Sequence, residues 1–106
     1  MTREPLLDLI QVGGLEIDFL RRRATLGGTP LRLTPLELRL IRVLAANPGR
    51  VLSRDDLLAS VWPPGTYVSS RSVDSLIKRL RRKLPTEDGH PLIATVRGEG
   101  YRFHIS

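Results

Sequence analysis

Val68 to Leu84, VSSRSVDSLIKRLRRKL, is the stretch that decides how the rest of the chain folds. With each helical residue turning about 100°, Val73, Leu76, Ile77, Leu80 and Leu84 fall into one stripe, while Arg71, Ser75, Lys78 and Arg82 point the opposite way. That is the pattern of an amphipathic helix with a core-facing side and a basic outer side. Ser69 or Ser70 supplies a start and Pro85 a stop, so the spacing predicts a helix over 70–84. Residues 67–84 hold six Lys or Arg and one Asp, hence +5 of the chain's net +6. The positive charge is concentrated on one helix.

The whole chain of 106 residues is long enough for one domain that buries a core without metal or disulfide support. It has no Cys, which fits a reducing compartment without requiring one. The opening MTREPLLDLIQVGG lacks the continuous apolar run of a signal peptide, and no stretch approaches the roughly 20 apolar residues of a membrane span. A soluble, cytoplasmic protein is expected. A pI near 11.0 with clustered charge calls for a polyanionic partner, nucleic acid ahead of an acidic membrane surface or an acidic protein.

Upstream of the basic helix, residues 6–33 read as short strands separated by paired glycines: Leu6 to Val12, Leu15 to Leu20, Arg22 to Leu26 and Pro30 to Leu33. Gly13-Gly14 and Gly27-Gly28 are hairpin signals, since both central residues of a tight turn need positive φ. A four-stranded antiparallel meander is predicted. Arg21-Arg22-Arg23 reads as a solvated edge, because neighbouring strand residues alternate faces and the three cannot all meet one ligand. Thr34-Pro35-Leu36-Glu37 has the cap, the first-turn proline and the acid of a capping box. Leu36, Leu40, Ile41 and Leu44 continue it as a core face up to Asn47-Pro48-Gly49. Val51-Leu52 is a short extended link. Ser53-Arg54-Asp55-Asp56 opens a second helix, with Leu57, Leu58 and Val61 inward and Pro63-Pro64-Gly65 at its end. Beyond Pro85, TEDGH reads as a polar loop, followed by a hairpin of Leu92 to Arg97 and Gly100 to Ile105.

The fold class is therefore α+β: an N-terminal four-stranded antiparallel sheet (1–33), a three-helix core (34–84) and a C-terminal β-hairpin wing (85–106), in one domain spanning 1–106. Helix, helix, basic helix and hairpin is the order of a winged helix-turn-helix. LTPLELRLIRVLAANPGRVLSRDDLLASVW, RSVDSLIKRLRRKL and TVRGEGYRF, in that order and spacing, resemble the C-terminal DNA-binding domain of OmpR/PhoB-type response regulators. The resemblance extends over nearly the whole chain. It implies sequence-specific binding of double-stranded DNA and transcription regulation as the effector domain of a two-component system. The third helix would lie in the major groove, with polar side chains on base edges and basic ones on phosphates.

Stripe geometry exposes Arg71, Ser75, Lys78, Arg79 and Arg82. The resemblance assigns Ser72, Ser75, Leu76, Lys78, Arg79 and Arg81 to DNA. At the edge of the apolar stripe, Leu76 is open to two readings, core packing or contact with a thymine methyl. Arg97 at the hairpin turn is expected at the minor groove, where an arginine meets the most negative potential. Thr95 and Tyr101 resemble phosphate contacts, although Tyr101 also suits a core position with only its hydroxyl reaching out. Trp62 is either a lid on the core or the first residue of a partner loop, Trp62-Pro63-Pro64-Gly65-Thr66-Tyr67. In related proteins the region 62–69 touches RNA polymerase or a sigma subunit.

Catalysis is not expected. His90 and His104 have no Cys, Asp or Glu at metal-ligand spacing. Gly98-Glu99-Gly100 lacks the third glycine and the helix of a dinucleotide loop, and no phosphate-loop motif exists. No metal or cofactor is implied. Two other classes compete: an RNA-binding winged helix, which duplex RNA would reveal, and a protein-interaction winged helix with no nucleic-acid role. Family members usually carry a receiver domain with a phosphorylated Asp. These residues hold none, which leaves an excised C-terminal half or a protein regulated otherwise. With no coiled-coil heptads, a monomer in solution is expected, docking head-to-tail on direct repeats. Arg21-Arg22-Arg23 and Glu87-Asp88 are the candidate opposite charges for that contact.

Overall fold

The computed structural model describes residues 8–87 and 89–104, with Glu87 described in its backbone only. In chain order the elements are β1 (Leu9–Val12), β2 (Leu15–Asp18), β3 (Arg23–Leu26), β4 (Thr29–Pro30), α1 (Pro35–Ala45), α2 (Arg54–Val61), α3 (Ser70–Lys83), β5 (Thr86–Glu87), β6 (His90–Pro91), β7 (Ile93–Val96) and β8 (Gly100–Phe103). The first four strands form one antiparallel sheet in the order β1-β2-β3-β4, the predicted meander. Gly13 (φ 54°) and Gly14 (φ 80°) supply the positive φ that the β1–β2 turn demands. Register places Ile10 opposite Ile17 and Ile17 opposite Ala24, so one sheet face is an unbroken apolar row against the helices.

The strands are shorter than periodicity implied. β2 ends at Asp18 rather than Leu20 and β3 begins at Arg23 rather than Arg22. The Phe19 N–H still bonds the Asp8 carbonyl (2.8 Å) as one more rung beside Leu9 and Asp18, and then a local bond turns the chain, the Arg21 backbone N–H donating to Asp18 Oδ1 (3.0 Å). Arg22 is left-handed, at φ 56°. Only Arg23 of the arginine triplet is therefore a strand residue. β4 stops at Pro30, although the Leu31 N–H still bonds the Ala24 carbonyl (2.8 Å). The expected ends at Leu6 and Ile105 lie outside the described residues.

Both helix starts are closed by reciprocal caps. Thr34 Oγ1 accepts from the Glu37 N–H (3.2 Å) and Glu37 Oε1 accepts from the Thr34 N–H (2.7 Å). Ser53 and Asp56 repeat the exchange at 3.0 Å each way; the bond from the Ser53 backbone N–H, with the Ser53 hydroxyl beside it, holds the Asp56 carboxyl below the usual carboxylate range. Each such cap contributes about 1 kcal/mol. α3 begins after Ser69, whose side chain makes no capping bond, and ends at Lys83, one residue before the predicted end. Leu40, Ile41, Leu44, Leu57, Val73, Leu76, Ile77, Leu80, Leu92 and Ile93 close the core, each at most 1% exposed.

Glu37 is the one buried charged residue among those described, 1% exposed, and Lys83 Nζ meets its Oε1 at 2.7 Å. Burial pushes this carboxyl up, but Lys83 and Thr34 outweigh it, and it titrates below its ordinary value. The pair fastens the last turn of α3 to the first turn of α1.

The expected polar loop after α3 is instead a small hairpin, β5 paired with β6. Two-residue strands leave no periodicity to read, and Gly89 at φ 79° makes the turn. The predicted wing is β7 paired with β8, Thr95 facing Tyr101 and Val96 facing Gly100. Leu52 adds a third edge by exchanging both backbone bonds with Tyr101 (2.8 and 3.0 Å). That approach requires glycine at 100: a Cβ there would stand 2.0 Å from the Leu52 carbonyl oxygen. Among the described residues, no helix is long and apolar enough to cross a membrane.

Candidate nucleic-acid interface

Packing the apolar stripe of α3 inward leaves Arg71, Ser75, Lys78, Arg79 and Arg82 exposed and Ser72 half-buried. None of the ion pairs among the described residues involves Arg71, Lys78, Arg79 or Arg82. From Arg71 to Arg82 the helix rises about 16 Å, at 1.5 Å per residue. That length suits a major groove roughly 12 Å wide with phosphates on both rims. A helix held from behind, presenting exposed cations over that distance, is chemically a polyanion-binding surface.

Leu76 does not belong to it. The side chain is 1% exposed and sits in the core, so of the two readings core packing holds. Tyr101 is likewise internal, 5% exposed, and its hydroxyl is taken up by a bond within the protein. It donates to Asp74 Oδ1 at 2.6 Å, and Arg54 Nε donates to the same oxygen at 2.7 Å. The Tyr101 hydroxyl bond, helped by Arg54, holds the Asp74 carboxyl below its usual range despite partial burial. Burial and that bond together push the Tyr101 phenol up. The hydroxyl proton is thus committed within the protein.

Arg81 is also engaged internally. Its Nε donates to the Ile93 carbonyl (2.9 Å) and its Nη2 to Thr95 Oγ1 (2.7 Å), and the guanidinium lies 5.5 Å from the Tyr101 ring centre. Arg54 stands 5.7 Å from that same centre, a second cation–π neighbour. Arg81, Thr95 and Tyr101, expected to contact DNA separately, form one seam between α3 and the wing. Asp74 and Arg54, not among the residues expected at DNA, complete it. Asp74 and Arg81 lie seven residues apart, two helical turns along the same border of the apolar stripe. That spacing is the signal in the sequence that could have marked them as a pair.

The wing turn, Arg97 to Glu99, is exposed, with Gly98 at φ 78° and the Glu99 N–H bonded to the Val96 carbonyl at 2.9 Å. Arg97 therefore stands at a tip close in sequence to the seam. On the loop before α3, Trp62 is 9% exposed and acts as a lid, while Pro63, Pro64, Gly65 and Thr66 face solvent and Tyr67 is wholly exposed. Arg21 pairs with Asp18 (3.4 Å) on the sheet, away from α3 in the chain. The Glu87 side chain and Asp88, offered as its opposite charge, lie outside the described residues. His90 and His104 stack at 4.9 Å, and no group of three or more potential metal ligands occurs among the described residues.

Residues 28–103 match the family model described as transcriptional regulatory protein, C terminal. The chain belongs to this family. It is an effector domain of the OmpR/PhoB type, and its fold is the winged helix of that group. The phosphate regulon transcriptional regulatory protein PhoB of Klebsiella pneumoniae is 40% identical over 96 residues, which are 91% of this chain and 42% of that protein. Among solved structures, the DNA-binding domain of CpxR from E. coli has a TM-score of 0.77 at 36% identity, covering 91% of this chain and 95% of that one. The RstA DNA-binding domain of Klebsiella pneumoniae, in complex with RstA box, has a TM-score of 0.76 at 36% identity, covering 92% and 98%. The family's members here are transcriptional regulators and not enzymes. The chain spans about two-fifths of the length of the curated relatives it matches.

Proposed function

We propose that this domain binds double-stranded DNA sequence-specifically and regulates transcription in the cytoplasm, as the effector domain of a two-component response regulator. The observation that supports it most is the row of exposed cations on the outer face of α3, outside the ion pairs of the described residues and beside a wing with Arg97 at its tip. In this reading α3 lies in the major groove. Ser72 and Ser75 meet base edges, Arg71, Lys78, Arg79 and Arg82 neutralise phosphates, and Arg97 reaches the narrow minor groove. Solvent-facing Pro63 to Tyr67 form the surface offered to RNA polymerase. Two copies dock head-to-tail on direct repeats, because one helix and one wing cover only a short site.

Selection of bound sites from random duplexes, followed by salt titration on the winner, tests this reading. A defined site is expected, with a salt slope of log K that falls by about 1 for each of Lys78→Ala, Arg79→Ala and Arg82→Ala. Equal affinity for duplex RNA, whose major groove is too deep and narrow to be read, or unchanged slopes in all three variants, would overturn it. Paired half-sites test the assembly: cooperativity should peak at centre spacings near one turn, about 10 to 10.5 bp, and fall at a half-turn offset.

A further inference from the structure

We propose that Arg81 is a positioning residue by which the recognition helix sets the attitude of the wing, and so aims Arg97. α3 holds the hairpin at two points. Arg81 grips β7 through the Ile93 carbonyl (2.9 Å) and Thr95 Oγ1 (2.7 Å), and Asp74 grips β8 through the Tyr101 hydroxyl (2.6 Å). The two anchors are two helical turns apart, about 10 Å along the axis. Leu52 and Asp74 both hold β8 at Tyr101, and the Arg81 grip adds a hold on β7, so that the two strands are each fixed and the direction of the hairpin is set. Arg81 adds a constraint of its own, since a planar guanidinium that bonds acceptors two residues apart on one strand sets both the slide and the roll of that strand. Thr95 faces Tyr101 in register, so both grips act on the same rung of the ladder. Arg97 lies two residues past that rung. An error in direction at the seam is therefore carried straight to the tip.

This inference rests on the proposed minor-groove role of Arg97 for its consequence on DNA, but the mechanical part is measured without DNA. Amide hydrogen exchange at Glu99 and Tyr101, whose N–H groups bond Val96 and Leu52, should rise about tenfold in Arg81→Ala, the equivalent of one charge-assisted bond lost. Thr95→Val, which keeps the charge and the shape but removes one acceptor, should move the same amides in the same direction. Arg81→Lys should not restore protection, because an ammonium lacks the fork that meets both acceptors. On DNA, preference for A·T-flanked over G·C-flanked sites should drop in Arg81→Ala to the level of Arg97→Ala, with no further drop in the double variant. Unchanged exchange in both Arg81→Ala and Thr95→Val overturns the proposal. So do losses that multiply in the double variant, since Arg81 would then act on DNA independently of Arg97. If exchange rises while Arg97→Ala leaves the flanking preference intact, the positioning of the wing is supported and it is the minor-groove reading that fails.

Discussion

The outer face of α3 and the seam where α3 meets α2 and the wing are both rich in arginine, and their arginines have opposite surroundings. On the outer face Arg71, Lys78, Arg79 and Arg82 are exposed and outside every ion pair of the described residues. In the seam Arg54 is bonded to Asp74 and Arg81 to Ile93 and Thr95, with the Tyr101 ring beside both. Counting charges on the helix would place Arg79 and Arg81 in one class. What separates them is angle: Arg81 falls on the border of the apolar stripe, where the wing supplies acceptors, and Arg79 falls where only solvent lies opposite. A free cation is held ready for an external anion, whereas a bonded one holds elements together.

The sharpest contrast between seam and surface comes from two glycines of the same hairpin. Gly100→Ala places a Cβ 2.0 Å from the Leu52 carbonyl oxygen in a backbone at φ 148°, and should cost about 4 kcal/mol or prevent folding, in the exceptional range for one substitution. Gly98, at φ 78° with nothing within 4 Å, should cost only about 1–2 kcal/mol as Ala, the left-handed penalty alone. Urea unfolding measures both. Equal costs would mean that the Leu52–Tyr101 bridge contributes little. Just below that lies Leu76→Ala, expected to lose about 3 kcal/mol as a fully buried leucine. A loss of affinity for one base pair without a loss of stability would return Leu76 to the interface.

Much of this was legible in the sequence. The α3 stripe, the Thr34–Glu37 box, the glycine-paired meander and the glycine-flanked wing are local patterns, and local patterns survive in one dimension. The outer face was legible for the same reason, because helical angle alone exposes Arg71, Lys78 and Arg82. The seam was not. Arg54 and Asp74 are 20 positions apart, Asp74 and Tyr101 27, and Glu37 and Lys83 46, so each pairing exists only after the helices pack. The resemblance to relatives carried Arg81, Thr95 and Tyr101 as three separate DNA contacts. Their bonds to one another appear only in three dimensions. β5 and β6 escaped because two-residue strands have no period.

A smaller effect should separate the two regions by assay type. Asp74→Ala strips the partner from the hydroxyl of a buried tyrosine, Tyr101, and should cost about 1–2 kcal/mol of stability. Arg79→Ala should stay within about 0.5 kcal/mol of the parent while lowering the salt slope of DNA binding by about 1. If Arg79→Ala destabilised the fold as much as Asp74→Ala, the outer face would not be free, and the contrast would collapse.

The smallest expected effect is the pH dependence of the seam. The Tyr101 hydroxyl bond, with Arg54 behind it, holds the folded-state Asp74 carboxyl below its usual value. A carboxylate whose pKa is depressed by folding stabilises the protein fully above the unfolded value, near 4, and loses that contribution as pH falls through the folded value. Glu37 is depressed too, by Lys83 and Thr34 against its burial, so total acid sensitivity cannot be assigned to Asp74 alone. The difference between parent and Asp74→Asn isolates it, since Glu37 is common to both. That difference should be constant from about pH 7 to 5 and shrink below about pH 4, as the parent carboxyl becomes neutral like the amide. Arg79→Ala should run parallel to the parent throughout. A parent-to-Asn gap that persists undiminished at about pH 2.5 would mean that shape, rather than the charge of Asp74, holds β8 to the helix.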